Sequence, residues 1–172
     1  MLALLAAVLT GAQTPPAEPS IAPPRLTYVF TIEARLGLPQ EQGEVDGRRT
    51  RFVPITGGRV HGPRLSGVVL AGGGDWQAIH RDGLTEINTR YSLRVDDGTV
   101  IDIVNPGVRT ADPAVVARMA RGEDVDPSLY YFRTAPRMTV ADGPHAWLRR
   151  TVFVGRGIRR SDRVEIEVFA VE

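Results

Sequence analysis

From Leu26 onward the chain alternates apolar and polar residues with a period of two, and clusters of Gly, Pro and Asp cut the alternation into short runs. A period of two places successive side chains on opposite faces of an extended backbone, which commits the chain to β-structure. Leu26, Tyr28, Phe30 and Ile32 alternate with Thr27, Val29, Thr31 and Glu33. Further strands are expected at Arg49 to Ile55, Leu65 to Leu70, Trp76 to His80, Leu84 to Val95 and Thr99 to Asn105. Tyr130 to Thr134, His145 to Gly155 and Arg163 to Val171 complete the set. Asp96-Asp97-Gly98, between two alternating runs, is a strong hairpin signal. One helix is expected: Asp112 caps it, Pro113 suits its first position and Gly122 stops it. It falls in the long connection between Asn105 and Tyr130, where a lid or a plug would sit.

Consecutive antiparallel strands with few crossovers give an all-β fold class, an eight- to nine-stranded up-and-down barrel with one short helix. Such an interior is either filled by side chains or holds one small ligand. Gly72 to Gly74 precede no helix and read as a bend at a barrel corner, not a phosphate cradle. A chain of 172 residues suits one domain with a full core, here residues 25–172. Met1 to Thr10 is a short apolar run followed by a proline-rich stretch to Pro24. Residues 1–24 therefore read as a secretory signal and a disordered leader, and the protein as periplasmic or secreted. A misassigned start would make it cytoplasmic. The run is shorter than the roughly 20 residues that span a bilayer, so no membrane span is expected. Aromatic residues at 6 % are too few for the girdles of an outer-membrane barrel.

All 21 basic residues are arginine, and 20 acids nearly balance them. The acids are interspersed among the arginines, and no aromatic stacking platform accompanies them, so no nucleic acid partner is expected. No cysteine is present, which excludes disulfides, thiolate metal sites and cysteine nucleophiles. His61, His80 and His145 lie on separate runs and form no metal motif. No metal and no cofactor are expected.

Strand parity carries the site signal. Glu86, Asn88, Arg90 and Ser92 share one face of their strand; Ile87, Thr89, Tyr91 and Leu93 share the other. Two readings are open. In one the apolar set is core and the polar set faces solvent. In the other Asn88 and Arg90 point into a polar interior, and the apolar face is covered by the helix or by a second copy of the chain. Tyr131 with Arg133, and Trp147 with Arg149, also pair a polar group with an aromatic on one face.

Several blocks carry a family resemblance: Pro54-Ile-Thr-Gly-Gly-Arg59, Gly67-Val-Val-Leu70, Gly72-Gly-Gly-Asp-Trp76, Arg81-Asp-Gly83 and Arg90-Tyr-Ser-Leu93. They continue with Asp96-Asp-Gly98, Ile101-Asp-Ile-Val-Asn-Pro-Gly107, Tyr130-Tyr-Phe-Arg-Thr134 and Trp147-Leu148. Over roughly Leu26 to Val171 the chain resembles domain-of-unknown-function family 3237, also called uncharacterised protein family UPF 0311, of bacteria and fungi. The resemblance implies a small closed barrel and no particular reaction. The family pattern has an acid where Asn88 stands and an asparagine where Arg149 stands, departures that shift charge within any pocket.

The expected function is small-molecule binding in the barrel. Its sharper form is cofactor-independent isomerase, cyclase or lyase chemistry on an anionic or carbonyl compound. Arg90 and Arg133 would anchor the charge through paired hydrogen bonds, and Tyr131 would donate to a developing oxyanion. Asp75 or Glu86 would act as base, its pKa raised by burial. Trp76, Asn88, Trp147 and Arg149 would line the ligand site. The alternatives are a lipocalin-like carrier and a structural or assembly protein with a packed interior. A homo-oligomer follows if Ile87, Tyr91 and Leu93 face outward.

Overall fold

The computed structural model describes residues 21–172. The expected signal and most of the expected leader lie outside the described residues. The strands are β1 (Leu26–Leu36), β2 (Gln40–Val45), β3 (Arg48–His61), β4 (Gly67–Val69), β5 (Gly73–Ile79), β6 (Leu84–Val95) and β7 (Val100–Ala111). Helix α1 (Pro113–Ala120) follows, then β8 (Tyr130–Thr134), β9 (Arg137–Val140), β10 (Phe153–Arg159) and β11 (Arg163–Val171).

Hydrogen bonding closes β1, β3, β5, β6, β7, β8, β10 and β11 into a ring, every neighbour antiparallel and β11 returning to β1. The ring is the expected up-and-down barrel with eight strand positions. Two positions are filled by broken strands. β4 continues the path of β5 between β3 and β6, and β9 continues that of β8 along β7. The break before β5 falls at Gly72, whose φ of +107° favours glycine. β2 pairs only with β3 and extends outside the ring as a hairpin arm.

The local signals act as their chemistry dictates. The Asp96–Gly98 turn joins β6 to β7, with the Val95 N–H donating to the Thr99 carbonyl at 3.0 Å. The Asp112 carboxylate caps α1 by accepting from the Ala114 N–H at 2.8 Å. The stretch before Phe153 departs from expectation. His145 to Gly155 is not one strand: Ala146–Arg149 forms a 3-10 turn and the strand starts at Phe153. Trp147 and Arg149 therefore share no strand face. Adjacent apolar residues Trp147 and Leu148 both turn toward the barrel end, which a strand's alternation would forbid. Leu148 is buried, and Trp147 packs edge-on against Phe153 with the Arg64 guanidinium 4.2 Å from its ring centroid.

The two ends of the barrel differ. At the end carrying the 3-10 turn, Phe30, Leu93, Ile101, Leu148, Phe153 and Val168 are almost wholly buried and fill the interior. At the other end, under α1, the interior is hollow. Parity settles which face of β6 looks inward: Ile87, Tyr91 and Leu93 are buried, while Glu86, Asn88 and Arg90 are exposed. The reading that turned Asn88 and Arg90 inward is corrected here. The core claims the apolar set because its burial is favourable by roughly 25 cal/mol per Å². With that face inside, the argument for a covering second copy falls away.

Candidate functional site

The hollow end holds a cavity of about 520 Å³. Its floor is Tyr91 and Ile55, and its mouth is ringed by Leu36 to Pro39, the α1 residues Val116 and Met119, and Ser161. The wall is divided by chemistry. Ala34, Val53, Ile55, Val164 and Ile166, from β1, β3 and β11, make an apolar half. The arc of β5 to β8 contributes Asp75, Gln77, Thr89, Asn105, Arg109 and Thr134 among the apolar Ile87 and Phe132, and Arg51 of β3 and Arg159 of β10 join them.

Register explains the arc. Asp75 lies opposite Thr89, and Thr89 opposite Asn105, so one row of the sheet carries all three inward. The next row runs Arg51, Gln77, Ile87, Gly107, Thr134, Gly155. In the third, Arg109 pairs with Thr85 and Phe132. Gly155 has a structural reason. A Cβ there would collide with the Thr134 hydroxyl and lie 2.9 Å from Ile166, so glycine makes room for the Thr134 side chain.

Charge in the cavity is unbalanced. Arg51, Arg109 and Arg159 reach the interior against the single acid Asp75. None of the three forms a salt bridge with a described residue, whereas rim arginines do: Arg49 with Glu41, and Arg121 with Glu123. Burial pushes the Arg109 guanidinium down to about 10, and the neighbouring Arg51 and Arg159 push the same way. Arg51 and Arg159 are lowered too, chiefly by burial. Asp75 is 8 % exposed and its pKa is raised, first by desolvation. Hydrogen bonds from Gln77 Nε2, the Asn88 N–H and the Thr89 hydroxyl oppose that rise. Gln77 also accepts from Arg51 Nε at 2.8 Å, so it bridges the guanidinium to the carboxylate. Tyr91 is fully buried and its phenol is held protonated. Arg159 is tethered at the rim, donating its backbone N–H to the Tyr130 hydroxyl at 3.0 Å.

Among the described residues, three buried side-chain atoms have no hydrogen-bond partner: Asn105 Oδ1, Arg109 Nε and Thr134 Oγ1. All three belong to the cavity wall. Buried polar atoms are nearly always paired, and an exception calls for a specific account. Here the three atoms are packed within the wall behind the cavity's lining and mark the cost of building polar residues into it.

Of the residues singled out from sequence, Asp75 lies in this cavity. Arg90, Glu86 and Asn88 point outward from β6, and Trp76, 44 % exposed, packs at a tilt against Phe52 on the outer face of β5. Tyr131 is exposed and lies under the Arg133 guanidinium, 4.9 Å from the ring centroid, outside the barrel. Trp147 and Arg149 sit at the packed end, where Arg149 bonds the Val140 carbonyl and Asp142. Parity separates the strand residues from Asp75, and the 3-10 turn places Trp147 and Arg149 at the opposite end, so the structure does not bring the nine together.

A model of the protein family of unknown function DUF3237 matches residues 24–171. The chain belongs to this family. A UPF0311 protein of Rhodopseudomonas palustris is 41 % identical over 144 residues, covering 84 % of this chain and 94 % of that protein. The solved structure of an R. palustris protein of unknown function superposes with a TM-score of 0.85 at 39 % identity, over 88 % of this chain and all of that one. A β-barrel-like protein of Acinetobacter baumannii gives 0.78 at 32 % identity, covering 90 % and 100 %. An enzyme from Penicillium herquei shares the fold at 18 % identity, TM-score 0.68, covering 91 % and 100 %.

In this DUF3237 chain, sequence reading passed over Arg51, Gln77, Asn105, Arg109, Thr134 and Arg159. Arg109 had a usable signal. Ile101, Ile103, Asn105, Arg109 and Ala111 share a parity, so two polar residues stand on an otherwise apolar face. Pro106-Gly107 masked it by suggesting the strand's end, whereas β7 runs on to Ala111.

Proposed function

We propose that the barrel binds a small organic anion with an apolar body, and that Asp75 exchanges a proton with it. The observation that carries this reading is the group of three arginines without salt bridges facing one buried acid in a cavity of about 520 Å³. A buried charge without a partner is strongly disfavoured; a carboxylate or enolate would supply the partner through charge-assisted hydrogen bonds. The apolar half would take the ligand's hydrocarbon part, as in most small-molecule sites. Desolvation makes Asp75 a stronger base than an exposed aspartate, and Gln77 holds its carboxylate in place. Together these groups suit proton removal next to a carbonyl, with the arginines stabilising the enolate that forms. Isomerisation, cyclisation and elimination all begin with that step.

The test is a thermal-shift panel of 2-oxo and simple carboxylic acids, followed by proton NMR of each hit in D₂O. The expected results are stabilisation that vanishes in Arg109→Met, and deuterium uptake at the acidic carbon that falls at least about 100-fold in Asp75→Asn. Exchange that survives Asp75→Asn would remove Asp75 from the chemistry. Stabilisation without exchange on any hit would leave a carrier.

A further inference from the structure

Arg51, Gln77 and Asp75 form one array. Arg51 lies directly opposite Gln77 in the pairing of β3 with β5, and Asp75 stands two residues before Gln77 on the same inward face. Arg51 and Asp75 are therefore diagonal neighbours, about 7–8 Å between Cα atoms. A guanidinium only donates and a carboxylate only accepts, so a side chain that joins them must accept at one end and donate at the other. Gln77 does both: its Oε1 accepts from Arg51 Nε at 2.8 Å, and its Nε2 donates to Asp75 Oδ2. These partners leave the amide one orientation. Methionine at this position would fill the space without bonding either neighbour, and an ionised glutamate would not donate.

The array leaves two groups open to a ligand. Among the described residues the Arg51 guanidinium bonds only Gln77, through Nε, so Nη1 and Nη2 remain for an anion. That side chain is half-buried and lines the cavity. Asp75 Oδ1 accepts from the Asn88 N–H at 3.2 Å, so both carboxylate oxygens are held while lone pairs remain for a proton. Anchor and base are thereby fixed one amide apart.

We infer that Gln77 is a positioning residue, and that the substrate carries its carboxylate within one or two carbons of the carbon that loses the proton, as a 2-oxo acid does. This rests on the proton-exchange reading and narrows it to a substrate class. With the carboxylate on Arg51, the C–H bond at that carbon breaks, its proton passes to Asp75 and its electron pair moves onto the adjacent carbonyl oxygen. In D₂O a deuteron returns from Asp75 to the same carbon. An acid whose carbonyl lies at the far end of the chain would hold its acidic carbons away from Asp75.

The experiment follows deuterium uptake by proton NMR at C3 of 2-oxooctanoate and at C6 and C8 of its isomer 7-oxooctanoate. Relative to exchange in buffer, uptake at saturating acid should be at least about 100-fold faster in the first, the cost of misplacing a reacting atom. In Gln77→Met it should fall at least about tenfold. The acid limb of the pH profile should also move to higher pH in that variant, because a donor that favours the Asp75 carboxylate is gone. Arg51, Arg109, Arg159, the Tyr91 phenol and the rim arginines all remain, so the limb reports the lost bond. A residue that only packs would leave the limb in place. The comparison of isomers on the wild type stands even where the variant fails to fold. Equal uptake in the two isomers, or an unmoved acid limb in the folded variant, would overturn this inference and leave the proton-exchange reading intact. No uptake in either acid, or uptake that survives Asp75→Asn, would overturn both.

Discussion

Arg109→Met should make the unliganded protein more stable. The guanidinium is 5 % exposed, bonds Thr85 weakly at 3.5 Å and leaves Nε unpartnered. Its fall to about 10 corresponds to roughly 3 kcal/mol against the charged form. The sign follows from linkage. Below about pH 10 the group is charged in both the folded and unfolded states, so the whole disfavour is present at pH 7. It is relieved only as pH rises from the folded value toward the unfolded one. Methionine keeps an unbranched stem and removes the charge. Against this gain stands the bared Thr85 hydroxyl, about 1 kcal/mol; the attraction to Asp75 is already contained in the lowered pKa. The net should be a stabilisation of about 1–2 kcal/mol, or about 2–8 °C for a domain of this size.

The assay is urea unfolding at pH 7 with and without a saturating carboxylate that binds the wild type. Without it the variant should have the higher midpoint. With it the order should reverse, because ligand at 100 times its dissociation constant adds about 2.7 kcal/mol to the wild type alone. An unliganded variant less stable than the wild type by 1 kcal/mol or more would show that Arg109 is compensated within the protein. The unpaired-charge reasoning would then fail at its root.

Asp75 predicts a pH dependence of opposite origin. Its folded pKa is raised by desolvation, so the folded state binds its proton more tightly and stability falls as pH rises from the ordinary aspartate value through the folded one. The wild-type minus Asp75→Asn difference in unfolding free energy, taken across pH 3.5 to 8, should decline and then level; a flat difference would contradict the desolvation. Arg90→Ala should leave anion affinity unchanged within twofold, since that side chain is exposed outside the barrel; a large loss by calorimetry would mean a site on the outer face. Trp147→Ala should cost about 3 kcal/mol by urea titration, at the lower end for an aromatic deletion because the ring is half-buried. Its anion affinity should be unaltered, because the ring packs at the opposite end from the cavity; weakened binding in a folded variant would join the two ends.

The architecture was legible in sequence because its determinants are local. Alternation along Leu26 to Ile32, the Asp-Gly hairpin at 97–98 and the Asp112, Pro113, Gly122 signals each act within a few residues. β2 and β9 escaped notice for the same reason. Gln40 to Val45 is exposed throughout and carries no apolar face, and Arg137 to Val140 is too short to display a period. The site is less legible because a strand's two faces are distinguished by what lies across the barrel. Arg90 and Asn88 looked functional as polar residues beside aromatics, yet their parity is the solvent's. Asp75 stood out only through its neighbours in the glycine-rich block.

The more reliable signal is a polar residue on the parity that burial claims. On β7 the inward sequence is Ile101, Ile103, Asn105, Gly107, Arg109, Ala111, and on β3 it is Arg51, Val53, Ile55. Leucine or valine at 105, 109 and 51 would fill the barrel to its end, as Phe30 and Phe153 do at the other. The polar residues keep the end under α1 open and leave unpaired atoms buried in its wall. A burial cost gathered at one end of the barrel, on β3, β5 to β8 and β10, serves no packing purpose. It is the arrangement expected where stability is given up for a site, and it is why removing Arg109 should strengthen the fold while emptying it of function.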